Sequence, residues 1–228
     1  MKLKKWDDLP ESYKNDKVKF YYDILKKRKL SLIFKRIFDI VLSSILLLLL
    51  SPVILILSIW IKLDSKGEIF FRQERVTQYG KIFRIFKFRT MVKDANKLGS
   101  QVTVSNDSRI TKVGKFIRKV RLDEIPQLIN VLLGDMTFVG TRPEVKKYVD
   151  NYTPEMLATL LLPAGITSEA SINYKDEEKI LTKNKNVDET YIKIILPEKM
   201  KYNLESIKKQ SFLYDISIMF KTFIEVLR

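Results

Sequence analysis

Ile40-Val41-Leu42-Ser43-Ser44-Ile45-Leu46-Leu47-Leu48-Leu49-Leu50-Ser51-Pro52-Val53-Ile54-Leu55-Ile56-Leu57-Ser58-Ile59-Trp60-Ile61 is the stretch that decides how the rest of the chain is read. It carries no charge, and its length matches the roughly 20 apolar residues that cross a bilayer core. Proline interrupts it at position 52. Proline lacks the amide that would bond the carbonyl four residues back, and its ring crowds that carbonyl, so the helix kinks or breaks. In hydrocarbon the freed carbonyl needs a partner, which the Ser51 hydroxyl or a neighbouring backbone group is close enough to supply. Two arms of about 11 residues, at about 1.5 Å per residue, would reach roughly 16 Å into one leaflet and return.

The flanks agree with re-entry. Lys26, Lys27, Arg28, Lys29, Lys35 and Arg36 precede the run, and Lys62, Lys66, Arg72 and Arg75 follow it. The positive-inside bias therefore pulls both ends to the same side, which a single crossing cannot satisfy. Asp39, at the entry, is expected to pair with Arg36 at the headgroups. A proline-kinked spanning helix is the competing form. A signal peptide fits poorly, because the run begins only at Ile40 and no small-residue cleavage site follows it.

Composition narrows the chemistry. The 228 residues suffice for one catalytic unit. The absence of cysteine removes disulfides, thiolate metal sites and cysteine nucleophiles. The absence of histidine removes the usual general base, phosphohistidine intermediates and the ordinary zinc site. Carboxylate, lysine, tyrosine and hydroxyl chemistry remain. A net charge of +15 asks for an anionic partner: nucleic acid, an anionic membrane or a phosphorylated substrate. The apolar run argues against nucleic acid.

Residues 1–34 are charged and rich in lysine and tyrosine, and read as a basic arm or an interfacial helix. Between Gly67 and Met91 two apolar-rich runs flank Thr77-Gln78-Tyr79-Gly80, which predicts a β-hairpin. Its second run alternates Lys81, Arg84, Lys87 and Arg89 with Phe83, Phe86 and Phe88, and the aromatics read as packing residues. Val113, Phe116, Ile117 and Val120 recur opposite Lys115, Arg118, Lys119 and Arg121, the pattern of an amphipathic helix with one strongly positive side. Pro126 opens a second short helix that Gly134 stops. From Glu198 two further helical stretches follow, the last with Ile216, Met219, Phe220, Phe223, Ile224 and Leu227 on one side.

Asp123 and Glu124 fall at the junction of the two short helices. A carboxylate can attack a phosphoryl group and split one hard transfer into two. A helix N-terminus ahead, with Arg118 and Arg121 behind, favours an ionised Asp123. Glu124 suits magnesium, which takes one or two carboxylates and fills its shell with water and phosphate oxygens. A bare Asp-Glu pair ahead of a helix is ordinarily a cap, so the pair needs its context.

That context is a resemblance. Lys35-Arg36 with Asp39 and Ser51-Pro52, then Lys87-Phe88-Arg89-Thr90-Met91, then Asn106-Asp107-Ser108-Arg109-Ile110-Thr111 with Gly114 and Arg118 occur in order. Leu122-Asp123-Glu124-Ile125-Pro126-Gln127-Leu128, Gly134-Asp135-Met136, Val139-Gly140-Thr141-Arg142-Pro143-Glu144 and Pro163-Ala164-Gly165-Ile166-Thr167 complete the series. This stretch, Lys35 to Thr167, resembles the monotopic phosphoglycosyl transferases, the bacterial sugar transferase family. Thr141 stands where that family usually has proline, and Ser168 to Tyr174 replaces its usual aromatic-containing run.

The resemblance implies that Asp123 attacks the β-phosphate of a UDP-sugar, releases UMP and passes the phosphosugar to undecaprenyl phosphate. It also implies Mg2+ held by Glu124 with Asp123, phosphates engaged by Lys87, Arg118 and Arg142, and an active site on the cytoplasmic face of a bacterial inner membrane. The expected partners are a UDP-sugar, a polyprenyl phosphate and an anionic phospholipid membrane, with no nucleic acid and a homodimer left open. The expected fold is mostly helical α+β: residues 35–63 a re-entrant membrane helix hairpin, and 64–228 a cytoplasmic catalytic domain with a short β-hairpin, catalytic helices and C-terminal helices. The competing function is a non-catalytic peripheral protein that docks on anionic lipids.

Overall fold

The computed structural model describes residues 1–93, 95, 107–174 and 186–227. Asn106, the first residue of one motif above, lies outside them. Helix α1 (Asp16–Lys27) is followed by α2 (Lys29–Leu49) and α3 (Ser51–Asp64). Strands β1 (Phe70–Val76) and β2 (Ile82–Phe88) come next, then α4 (Lys112–Lys119), α5 (Gln127–Leu133) and β3 (Met136–Val139). The chain continues through α6 (Lys146–Val149), β4 (Ala164–Thr167), α7 (Glu169–Asn173), α8 (Val187–Thr190), α9 (Leu196–Lys209) and α10 (Phe212–Leu227).

The break at Pro52 forms as its chemistry requires. The amide that proline lacks would have served Leu48, and the Ser51 hydroxyl donates to that carbonyl at 2.8 Å instead. Helices α2 and α3 bend by 60° across it. Among the described residues no single helix is long and apolar enough to cross a membrane; this pair passes only together. Both outer ends grip the same body. At the start of α2, buried Lys35 donates to Asp215 at 2.7 Å and to the Val139 carbonyl at 2.8 Å. At the end of α3, Arg89 donates to the carbonyls of Ile61 and Ser65, where the helix dipole welcomes a cation. Asp64 accepts from the Val113 amide at the start of α4.

Asp39 does not pair with Arg36. Its carboxylate is buried and accepts from the Thr137 hydroxyl at 2.7 Å and the Phe138 amide at 3.2 Å. Arg36 instead donates to the carbonyls of Val131 and Leu132 at the end of α5. A buried carboxylate satisfied by fixed protein donors and a guanidinium at a helix C-terminus are both stronger arrangements than an exposed pair.

The expected hairpin forms, its strands antiparallel with Phe70 opposite Phe88 through Val76 opposite Ile82. Phe83 and Phe88 are buried. Phe86 carries the Arg72 guanidinium 3.4 Å from its ring centre. A second sheet was not foreseen: β3 and β4 pair in parallel, Met136 with Ala164 and Val139 with Thr167. Every residue of β3 is buried, so its four residues show no alternation that could announce a strand.

Residues 1–34 are more ordered than a loose arm. Asn15 caps α1 through the Val18 amide, and Val18, Tyr21, Tyr22 and Leu25, at helical spacing, are buried with Leu9, Tyr13, Ala158 and Leu161. On α10 the apolar stripe points outward instead: Phe220, Phe223 and Ile224 are exposed, while Asp215 and Ile218 face inward.

Candidate active site

Asp123 and Glu124 occupy a 3-10 turn, Leu122–Glu124, wedged between α4 and α5. Arg121, at φ 55°, stands in the left-handed region just before it. That conformation is costly for a residue with a Cβ and ends α4 abruptly, so the acidic pair is turned away from the axis of that helix. Behind the pair, Gly134 closes α5 at φ 90°, the left-handed cap that glycine takes without steric cost.

Two further elements converge on the turn. Asn130 on α5 is buried and locks onto the edge of β2, its carbonyl oxygen accepting from the Phe86 amide at 2.8 Å and its amide donating to Arg84 at 3.1 Å. This brings the Lys87 ammonium to Glu124 Oε1 at 2.7 Å. From the loop after β3, Arg142 donates to the same oxygen, with a longer contact of 3.4 Å to Oε2. The loop is fixed by two glycines in backbone contact. The Gly140 amide donates to Thr167 and the Gly165 amide donates to Thr141, at 3.0 and 2.8 Å. A Cβ on Gly165 would lie 2.2 Å from the Gly140 nitrogen. Thr141 is held through its carbonyl, which proline at this position would offer equally.

The two carboxylates are shifted in opposite directions. Burial pushes the Glu124 carboxyl up, but Arg142 and Lys87 more than offset it and hold it well below the usual carboxylate range. Asp123 goes the other way: burial raises it, and Lys87 and Arg118 offset that only in part, with Glu124 adding to the rise. Arg118 acts on Asp123 in the expected direction, but desolvation outweighs it and the net shift is upward. Burial also lowers Lys87, opposed by Glu124.

The structure therefore brings together Asp123, Glu124, Lys87 and Arg142, with Arg118 close enough to act on Asp123. Ser51 and Pro52 sit apart, at the bend. Arg75, whose guanidinium donates to the Pro143 carbonyl at 3.1 Å and so braces the arginine loop, was read from sequence only as a positive flank. Its alternation with Val76 on β1 was the available signal. Among the described residues no group of three or more His, Cys, Asp or Glu gathers as a metal cage.

The site is thus a half-buried carboxylate beside a cation-clamped one, in a chain that also carries a bent apolar helix pair. The chain belongs to the bacterial sugar transferase family, whose model matches residues 30–228. It is 38% identical over 195 residues to the UDP-glucose:undecaprenyl-phosphate glucose-1-phosphate transferase of Escherichia coli (strain K12), covering 83% of this chain and 39% of that protein. It is 36% identical over 191 residues to the UDP-N-acetylgalactosamine-undecaprenyl-phosphate N-acetylgalactosaminephosphotransferase of Aeromonas hydrophila, covering 82% and 42%. It is 39% identical over 135 residues to a putative undecaprenyl-phosphate N-acetylgalactosaminyl 1-phosphate transferase of Bacillus subtilis (strain 168), covering 59% and 75%. The chain thus spans about two fifths of the length of the first two.

Proposed function

We propose that this chain is a phosphoglycosyl transferase that moves a sugar 1-phosphate from a UDP-sugar to undecaprenyl phosphate. The observation that carries this reading is the double cation clamp on one member of the acidic pair. Glu124 is held anionic between Lys87 and Arg142, while Asp123 lies half-buried beside it without a direct ion pair among the described contacts. The names of the relatives supply the substrate classes, a UDP-sugar donor and undecaprenyl phosphate as acceptor.

In the first step a carboxylate oxygen of Asp123 attacks the β-phosphorus of the donor. The bond from that phosphorus to the bridging oxygen breaks, UMP leaves with the electron pair, and the sugar phosphate stays on Asp123 as an acyl phosphate. In the second step an oxygen of undecaprenyl phosphate attacks the same phosphorus and displaces the carboxylate, giving a polyprenyl-diphosphate sugar. Lys87, Arg118 and Arg142 stabilise the charge that builds on the phosphoryl oxygens.

Two adjacent carboxylates, one of them kept ionised, fit magnesium, whose remaining ligands come from water and phosphate. Glu124 with Asp123 would hold Mg2+, and the ion supplies charge neutralisation at the donor diphosphate.

Re-entry of α2 and α3 into one leaflet is favoured by their ends. One body grips Lys35 and Asp39 at the start and Ile61, Asp64 and Ser65 at the finish, so both flanks lie on the same side of the bilayer. We assign that side to the cytoplasm of a bacterial inner membrane, where basic flanks meet anionic lipid.

The test uses purified protein in detergent with UDP-sugars and Mg2+. UMP release from at least one donor is expected, and mass spectrometry should place the trapped phosphosugar on Asp123. Asp123→Asn with undiminished release would remove the nucleophile.

A further inference from the structure

Arg142 reaches Glu124 from a loop whose far side is not solvent. Two residues on, the Glu144 side chain turns inward and is buried. It accepts the Tyr191 hydroxyl hydrogen, and the Lys199 ammonium donates to that hydroxyl at 3.0 Å and lies 3.7 Å from the Glu144 carboxylate. The Glu144 carbonyl accepts from the Val76 amide at 2.9 Å, and the Pro143 carbonyl accepts from Arg75. The loop is thus pinned on both sides of Pro143, by backbone contacts and by a buried polar cluster.

Tyr191 is placed by an unusual turn. Residues Tyr191–Ile195 form a π turn between α8 and α9. Pro197 explains it, because proline cannot bond the carbonyl four residues back and the helix widens to accommodate the ring. Such turns cost regular hydrogen bonding and recur at functional sites. Here the widened turn stacks Tyr191 on Tyr148 with ring centres 4.4 Å apart, its hydroxyl aimed at Glu144. A buried ion pair contributes little to net stability for the desolvation it demands, so its worth is more often the geometry it fixes.

We propose that Tyr191 and Lys199 are positioning residues that act through Glu144 to set Arg142 against Glu124. The inference rests on the proposed function for the role of Arg142, and adds residues from the C-terminal helices to the machinery of that site.

The test measures Tyr191→Phe and Glu144→Gln, each alone and combined with Arg142→Ala, in detergent-solubilised full-length protein. In the Arg142-containing background, kcat/KM for UMP release should fall by about 10- to 100-fold, the span that corresponds to one hydrogen bond to a charged group. Adding either change to Arg142→Ala should cost no further activity, because residues that work through one group are not additive. Effects that multiply fully in the double variants would assign Tyr191 to general stability and overturn the proposal. Amide hydrogen exchange of Thr141, Arg142, Glu144 and Val145 gives a second, substrate-free measure. Exchange should quicken there in Tyr191→Phe and stay unchanged in β2, whose amides do not bond the loop; no change in the loop would also overturn it. If the wild-type protein turned over no UDP-sugar, the reaction assignment would fail while the exchange experiment still decided whether Tyr191 positions the loop.

Discussion

Glu124→Gln separates the clamp from the rest of the site. The carboxylate receives charge-assisted hydrogen bonds from Lys87 and Arg142, and bonds of that kind are worth about 1.5–3 kcal/mol each against about 1 for a neutral pair. Glutamine keeps an oxygen that still accepts, so the difference would be about 1–4 kcal/mol. The Arg142 side chain is 38% exposed, and solvent screening moves the expectation to the lower half, about 1–2 kcal/mol. For a chain of this size that is a fall in Tm of about 2–8 °C. The loss should also depend on pH. The folded-state pKa of Glu124 lies below the ordinary value of 4.5, so its contribution is complete above that value and is lost as pH falls below it. The loss runs at about 1.4 kcal/mol per pH unit, which closes the gap between wild type and variant by about pH 3. Thermal unfolding in detergent, followed by circular dichroism from about pH 7 to about pH 3, reads both features. A gap that stays constant over that range, or a variant more stable than wild type at neutral pH, would refute a Glu124 held as a clamped anion.

Further outcomes follow from the same contacts. Gly165→Ala forces a Cβ to within 2.2 Å of the Gly140 nitrogen, so the β3–β4 contact must open; a loss of about 2–3 kcal/mol in stability and a sharp fall in UMP release are expected. Lys35→Met leaves Asp215 buried without its cation and should cost about 3 kcal/mol, seen as a lower Tm. Lys35→Met combined with Asp215→Leu should recover most of it, since a matched apolar pair replaces a buried ion pair at little cost. UMP release should fall on the acidic side as Asp123, raised by burial, takes up a proton. Lys87→Met removes the largest influence that lowers Asp123 and should shift this limb to higher pH, a direction that a pH–rate profile checks.

What could be read from sequence was local. The Ser51-Pro52 break, the hairpin around Thr77 to Gly80, α4, the Gly134 stop and the two C-terminal helices each follow from a short-range rule. All of them appear. The dyad and its lysine and arginine were reached through a series of motifs, because no periodicity relates Lys87 to Glu124 across 37 residues or Arg142 across 18. Pairings with no local signal stayed hidden: the parallel β3–β4 contact, the partners of Asp39 and Arg36, and the burial of α1. The Glu144–Tyr191 contact, 47 residues apart, depends on a π turn that only the folded chain displays.

The 3-10 turn explains why two neighbouring carboxylates end up so different. With three residues per turn, successive side chains diverge by about 120°, so the two carboxylates leave the turn in different directions. Glu124 points to Lys87 and Arg142 and stays charged. Asp123 makes no direct ion pair among the described contacts and is lowered by Lys87 and Arg118, with burial acting against its charge. An anion that is poorly stabilised at rest is the more reactive one, whereas a well-stabilised anion suits holding cations and a metal in place. The strained backbone at Arg121 keeps α4 from continuing through the pair.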